Sequence, residues 1–128
     1  MSTILLIEDD LKFARMVEKI MGPHGHTVHH AASGLDGLQL ARRIHPDIIL
    51  LDMNLPDLDG KVIAVNLRGM IDRGTVPIVA LTAESGARAR RIALAIGCDD
   101  FISKPIDTRA FPEQIATILS TIGTHEVQ

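Results

Sequence analysis

Ile4-Leu5-Leu6-Ile7-Glu8-Asp9-Asp10 reads as four apolar residues running straight into three carboxylates. An apolar run this short, bounded by polar residues, is a buried strand, and the acids then stand at its carboxyl end. The same device recurs. Ile48 to Leu51 runs into Asp52, Ile78 to Leu81 into Thr82, and Phe101 to Ser103 into Lys104-Pro105. Between these runs apolar residues recur at helical spacing: Phe13, Val17 and Ile20, then Leu35 and Leu38, Ile63 and Leu67, Ile92 and Ile96, and Phe111, Ile115, Ile118 and Ile122. A weaker, half-polar segment, His26 to His30, is expected as the second strand and at the sheet edge. Strand then helix, five times over, implies a parallel sheet with helices on both faces and right-handed crossovers.

Punctuation agrees with these boundaries. Gly22-Pro23 ends the first helix, Ser33 with Asp36 forms a capping box for the second, and His45-Pro46 stops it. Asp59-Gly60 opens the third helix, Gly97 closes the fourth and Asp107 is placed to cap the fifth. Pro112 falls about a turn inside that last helix, where it removes a backbone hydrogen bond. A late start or a distorted first turn is therefore expected. The domain is expected to span residues 1–123, with 124–128 a frayed tail.

With 128 residues, 46% hydrophobic and 23% charged, the sequence suits one compact domain with no second module. Sixteen acidic against 13 basic residues give a net charge of -3, which exerts no long-range pull on nucleic acid or anionic membrane. Trp and Tyr are absent and Phe occurs three times, too few for a base-stacking surface. No run approaches the ~20 apolar residues of a membrane span, and the first eight residues lack the basic start and cleavage site of a signal peptide. The single cysteine, Cys98, can form no internal disulfide and reads as a small core residue of a reducing, cytoplasmic compartment.

In a doubly wound sheet, ligands bind outside the carboxyl ends of the strands. Topology alone therefore gathers Glu8, Asp9, Asp10, Asp52, Thr82 and Lys104. Unit charges about 4 Å apart repel by about 4 kcal/mol at an effective dielectric of 20, so carboxylates brought together need compensation. Lys104 supplies one positive charge and a divalent cation the rest. Oxygen-only ligands point to a hard ion, and a small open site suits Mg²⁺ better than a Ca²⁺ cage. A nucleotide or flavin binder would place glycines after the first strand to cradle phosphate. Here that turn is acidic. The site reads as one that accepts a phosphoryl group on a side chain, with metal, lysine and hydroxyl holding its oxygens.

The four pieces Ile4 to Asp10, Leu51-Asp52-Met53-Asn54-Leu55-Pro56-Asp57-Leu58-Asp59-Gly60, Leu81-Thr82-Ala83 and Ser103-Lys104-Pro105 resemble, in order and spacing, the receiver domain of two-component response regulators. The resemblance implies the five-stranded flavodoxin-like (βα)5 fold with strand order 2-1-3-4-5. It makes Asp52 the phosphoacceptor for a histidine kinase or histidine phosphotransfer protein. Glu8, Asp9, Asp52 and the backbone carbonyl of Asn54 would hold Mg²⁺, with Asp9 the more direct ligand, while Thr82 and Lys104 would contact the phosphoryl oxygens. Thr82 and Phe101 would form the switch, and Lys104-Pro105 is commonly cis in such domains. Glu8 stands where many relatives have Asp, which favours a water-mediated metal contact. Phe101 replaces a frequent Tyr, so the switch lacks a phenolic hydroxyl. The segment Ile102 to Ile106 is similar to the single-domain cell-cycle regulators of the DivK kind. A phosphoacceptor of this sort is not an enzyme beyond slow self-phosphorylation and self-dephosphorylation.

Helical geometry adds contact surfaces. Phe13, Ala14, Met16, Val17, Ile20 and Met21 share one arc of the first helix, leaving Leu11 exposed as a candidate docking point for the histidine donor. On the fourth helix Ile92, Ala93 and Ile96 are expected to face inward and Ala87, Arg90, Arg91 and Leu94 outward, forming with Phe101 the surface for a downstream protein. His24, His26, His29 and His30 mix a turn with alternating strand faces and do not make a tetrahedral metal site. Two rival readings stand beside the stand-alone receiver. A Mg²⁺-dependent phosphohydrolase using an aspartyl phosphate needs a second acid near the nucleophile, yet Asn54 occupies that place and Asp57 lies on a mobile loop. A receiver-like scaffold would bind partners without phosphorylation.

Overall fold

The computed structural model describes residues 2–70 and 76–127, the side chains of 122–127 excepted. Strands β1 (Ser2–Ile7), β2 (His26–Ala31), β3 (Ile48–Asp52), β4 (Ile78–Thr82) and β5 (Asp100–Ser103) alternate with helices α1 (Leu11–Met21), α2 (Gly34–Ile44), α3 (Gly60–Met70), α4 (Gly86–Ala95) and α5 (Phe111–Val127). All neighbouring strands pair in parallel, in the order β2-β1-β3-β4-β5, as expected. The continuous apolar runs of β1, β3 and β4 are buried because helices cover both faces.

Alternation of side chains along each strand divides the core in two. Leu5, Ile7, Ile49, Leu51, Ile78 and Ala80 pack against Ala41 of α2, Ile63, Ala64 and Leu67 of α3 and Ala93 of α4. Ile4, Leu6, Ile48, Leu50, Val79, Leu81 and Ile102 pack against Ala14, Val17 and Met21 of α1 and Phe111 and Ile115 of α5. Helix α2 lies close enough to β1 that a Cβ on Gly37 would sit 2.6 Å from Ile7 Cδ1, so the lost helix propensity of that glycine is exchanged for tight packing. Phe111 is fully buried at the start of α5. Phe111→Ala is expected to lower stability by about 3–5 kcal/mol through lost transfer energy and a cavity, read as a reduced urea midpoint with an unchanged slope.

Helix ends follow the sequence signals. Ser33 Oγ accepts from the Asp36 amide at 3.1 Å, Asp59 Oδ1 accepts from Lys61 N at 2.9 Å, and His45 closes α2 in the left-handed region at φ 48°. Pro112 is the second residue of α5, a position whose amide has no intrahelical acceptor, so the helix starts late and the proline is harmless. Asp107 Oδ1 receives the amides of Arg109 and Ala110 in the turn just before it. Helical backbone continues to Val127, past the boundary expected at residue 123. The side chains of the expected tail lie outside the described residues.

One facing is corrected. On α4 the buried stripe is Ala89 and Ala93, whereas Ile92 is 42% exposed and Ile96 lies beyond the helix, half-buried. Two alanines one turn apart let the helix settle on the sheet along their own line, and Ile92, about 100° around from Ala93, is turned toward the rim. Leu94 and Leu11 are exposed as expected, Leu11 at 56%. No helix among the described residues is long and apolar enough to cross a membrane.

Candidate functional site

Parallel β1, β3, β4 and β5 bring Glu8, Asp52, Thr82 and Lys104 to one edge of the sheet. Glu8 is 1% and Asp52 4% exposed, while Asp9 is exposed. One carboxylate oxygen from each of Glu8, Asp9 and Asp52 lies within 4.8 Å of the other two. Among the described residues this is the one group of three or more His, Cys, Asp or Glu side chains so arranged; the histidines of β2 form none. Asp10 does not join the trio. It caps α1 instead, Oδ1 accepting from Lys12 N at 2.9 Å and Phe13 N at 3.3 Å.

Lys104 supplies the counter-charge. Its Nζ donates to Glu8 Oε1 at 2.5 Å and stands 3.5 Å from Asp52 Oδ1, with the Phe13 ring centroid 4.5 Å away. A cation between carboxylates and an aromatic face is held from two sides. The Lys104 amide donates to the Thr82 carbonyl at 2.7 Å, and the Lys104-Pro105 peptide is cis, as the resemblance implied. Asn54 N donates to Asp52 Oδ1 at 3.1 Å and Asp10 N to Glu8 Oε2 at 3.3 Å. Thr82 Oγ1 accepts from Glu84 N at 3.1 Å, and Ser103 Oγ donates to the Glu84 carbonyl at 2.8 Å, tying the loops after β4 and β5 together.

Burial, followed by the hydrogen bond and charge of Asp52, pushes the Glu8 carboxyl up to about 7 against the pull of Lys104. Burial lowers the Lys104 ammonium, but the hydrogen bond to Glu8 and the charges of Asp52 and Glu8 outweigh it and hold the group above its ordinary value. The site thus has a surplus of buried negative charge that a proton or a cation relieves. An all-oxygen donor set in that condition fits a hard dication.

A stability consequence follows for the metal-free protein. The folded Glu8 carboxyl binds its proton more tightly than the unfolded one, so between about 4.5 and about 7 the native state holds the extra proton. Stability then falls as pH rises through that window, by on the order of 1–3 kcal/mol. Urea unfolding in chelator at pH 5 and pH 7.5 should show the loss, and Glu8→Gln should flatten it.

The Asp57 loop is tied down rather than mobile. Its carboxylate accepts from Gly34 N at 2.9 Å and Leu35 N at 3.1 Å, the first amides of α2, and these bonds hold the acid below its usual range. It faces the helix terminus, not Asp52's reactive neighbourhood. Phe101 is half-buried under the Arg90 guanidinium, 5.8 Å from its ring centroid. Cys98 is buried, and burial with the Asp99 charge pushes its thiol up to about 12, which makes it unreactive. Sequence reading missed Phe13 against Lys104, and it missed His30, whose Nε2 lies 2.6 Å from the Glu8 carbonyl oxygen. The half-polar pattern of His26 to His30 predicts an edge strand and gives no sign of this contact.

Comparison with known proteins places this geometry. Residues 4–116 match the response regulator receiver domain, and the chain belongs to that family. AfsQ1, a transcriptional regulatory protein of Streptomyces coelicolor, is 37% identical over 119 residues, 93% of this chain and 52% of its own. A probable transcriptional regulator, ycf27 of Porphyridium aerugineum, is 34% identical over 119 residues, covering 93% and 48%. The chain therefore spans about half the length of the curated relatives it matches. A putative response regulator from Chloroflexus aurantiacus superposes with a TM-score of 0.80 at 30% identity, covering 93% of this chain and 98% of the other. A CheY-like receiver from Methanospirillum hungatei reaches 0.86 at 23% identity over 98% of each chain, a likeness of fold.

Proposed function

We propose that Asp52 accepts a phosphoryl group from a histidine kinase or histidine phosphotransfer protein. In this step an Asp52 oxygen bonds to phosphorus as the P–N bond of phosphohistidine breaks, and the imidazole keeps the electron pair and takes up a proton. The carrying observation is the convergence of Glu8, Asp9 and Asp52 within 4.8 Å around the Lys104 ammonium. Side chains of Glu8, Asp9 and Asp52 and the carbonyl of Asn54 would hold Mg²⁺, which supplies charge neutralisation on the moving group. Lys104 and the Thr82 hydroxyl would hold its remaining oxygens.

Signalling in this proposal is a population shift of Thr82, Phe101 and the α4 surface toward a form that binds a downstream protein. A cavity of about 20 Å³ lined by Met53, Ala80, Thr82, Ala89 and Ala93 lies beneath α4 and leaves slack beside Thr82. The relatives named above, a transcriptional regulatory protein and a probable transcriptional regulator, are matched by this chain over about half of their length. For the 128 residues in hand, the net charge of -3 favours protein over nucleic acid as the direct partner, and single-domain signalling in the cytoplasm is part of the same proposal. The phosphohydrolase reading lacks its second acid, since Asn54 stands two residues after Asp52 and Asp57 is engaged with α2.

Incubation with acetyl phosphate and Mg²⁺, followed by borohydride trapping and peptide mass spectrometry, tests the assignment. One Mg²⁺-dependent label at Asp52 is expected. Sustained phosphate release from monoesters would favour the hydrolase, and no label at all would favour a phosphorylation-independent scaffold.

A further inference from the structure

β2 does more for the acidic pocket than pair with β1. Their register sets Leu6 against His30 and Ile7 against Ala31, and one residue on, the Glu8 amide donates to the Ala31 carbonyl at 3.0 Å. There the backbone ladder ends, and a side chain continues it. His30 Nε2 meets the Glu8 carbonyl oxygen at 2.6 Å in a part-buried contact. A carbonyl only accepts, so Nε2 carries a hydrogen whatever the charge on the ring. Val28, two residues earlier and on the same face of β2, packs into the core beneath α1 and α5, which sets the side from which His30 approaches. Both backbone polar groups of Glu8 are thus fixed to β2.

The bonded oxygen belongs to the Glu8–Asp9 peptide, whose plane sets the direction in which Asp9 leaves the strand. The trio's other members are held through their side chains, Glu8 by Lys104 and the Asp10 amide and Asp52 by the Asn54 amide and Lys104. Asp9 is exposed, and among the described residues no hydrogen bond reaches its carboxylate. Its direction rests on its backbone.

We propose that His30 is a positioning residue for the metal site, its Nε2–H holding the Glu8–Asp9 peptide so that the Asp9 carboxylate stays within reach of Glu8 and Asp52. This inference rests on the Mg²⁺ reading of that trio. Partners that orient ligands are worth roughly 10- to 100-fold in metal affinity.

Mg²⁺ titrations followed by backbone amide chemical shifts, on the unaltered chain, His30→Leu and His30→Gln, provide the test. His30→Leu should bind Mg²⁺ roughly ten-fold more weakly or worse, and His30→Gln, which keeps an N–H donor, should recover most of the loss. In metal-free protein the Asp9 amide should shift in the leucine variant and return in the glutamine one. His30→Phe fills the space without a donor and replaces the leucine variant should that not fold. Equal affinities in all variants, or a glutamine variant no better than leucine, would overturn the positioning role. Absence of any Mg²⁺ response in the unaltered chain would overturn the metal reading and this inference together, an outcome recognisable because it needs no substitution.

Discussion

Asp52→Asn is expected to take up no phosphoryl group from acetyl phosphate at any Mg²⁺ concentration, where the unaltered chain gains one phosphoryl mass by intact-protein mass spectrometry. An amide offers no anionic oxygen to phosphorus, and the side chain stands buried at the end of β3. The same substitution should make the metal-free protein more stable at pH 8, where the Glu8 carboxyl, pushed up to about 7, has lost its proton. Asp52 and Glu8 are buried together with one ammonium between them, and carboxylates about 4 Å apart repel by about 4 kcal/mol at an effective dielectric of 20. Removing one charge returns part of that, on the order of 1 kcal/mol after the lost attraction to Lys104 is set against it. Urea unfolding in chelator should therefore show a higher midpoint, and added Mg²⁺ should stabilise the variant less than the parent. A gain in stability with a loss of labelling separates removal of the acceptor from damage to the fold. Labelling at the parental rate would move the acceptor to another acid, with exposed Asp9 the first to examine.

Much of this pocket was legible because topology did the gathering. Once Ile4 to Ile7, Ile48 to Leu51, Ile78 to Leu81 and Phe101 to Ser103 are parallel strands, their next residues must share an edge, and those residues are Glu8, Asp52, Thr82 and Lys104. Helix ends were legible for a similar reason: Ser33, Asp59 and Asp107 act on amides two or three residues away. Contacts that depend on where a side chain travels after leaving the backbone were not. His30 lies 22 residues from the carbonyl it reaches, and Asp57 lies 23 from the first amide it accepts. Neither distance leaves a periodicity to read. The misplacement of Ile92 has another cause. A helix whose buried stripe is Ala89 and Ala93 gives hydropathy little to distinguish from its flanks, and the larger isoleucines captured the expected inward line.

Lys104→Met should slow labelling by acetyl phosphate by about 10²- to 10³-fold at saturating Mg²⁺, a loss typical of removing one donor aimed at developing charge. Methionine keeps the length and apolar body of the lysine stem and discards the ammonium that stands 2.5 Å from Glu8 and 3.5 Å from Asp52. Breaking a buried pair by deleting one partner ordinarily costs about 3–5 kcal/mol. Here the loss should be smaller, because the Glu8 carboxyl, already pushed up to about 7, can take a proton in place of the missing cation. Metal-free stability at pH 6 should thus fall less than at pH 8, where that proton is scarce. Mg²⁺ compensates the same surplus charge, so its affinity should hold or rise in the variant. The rate cannot be restored in this way. A proton on Glu8 neutralises the resting pocket and leaves the oxygens of the transferring phosphoryl group without their ammonium partner. Intact metal binding with slow labelling would identify Lys104 as a group that touches the reacting atoms. Labelling at the parental rate would leave it a counter-ion for Glu8 alone.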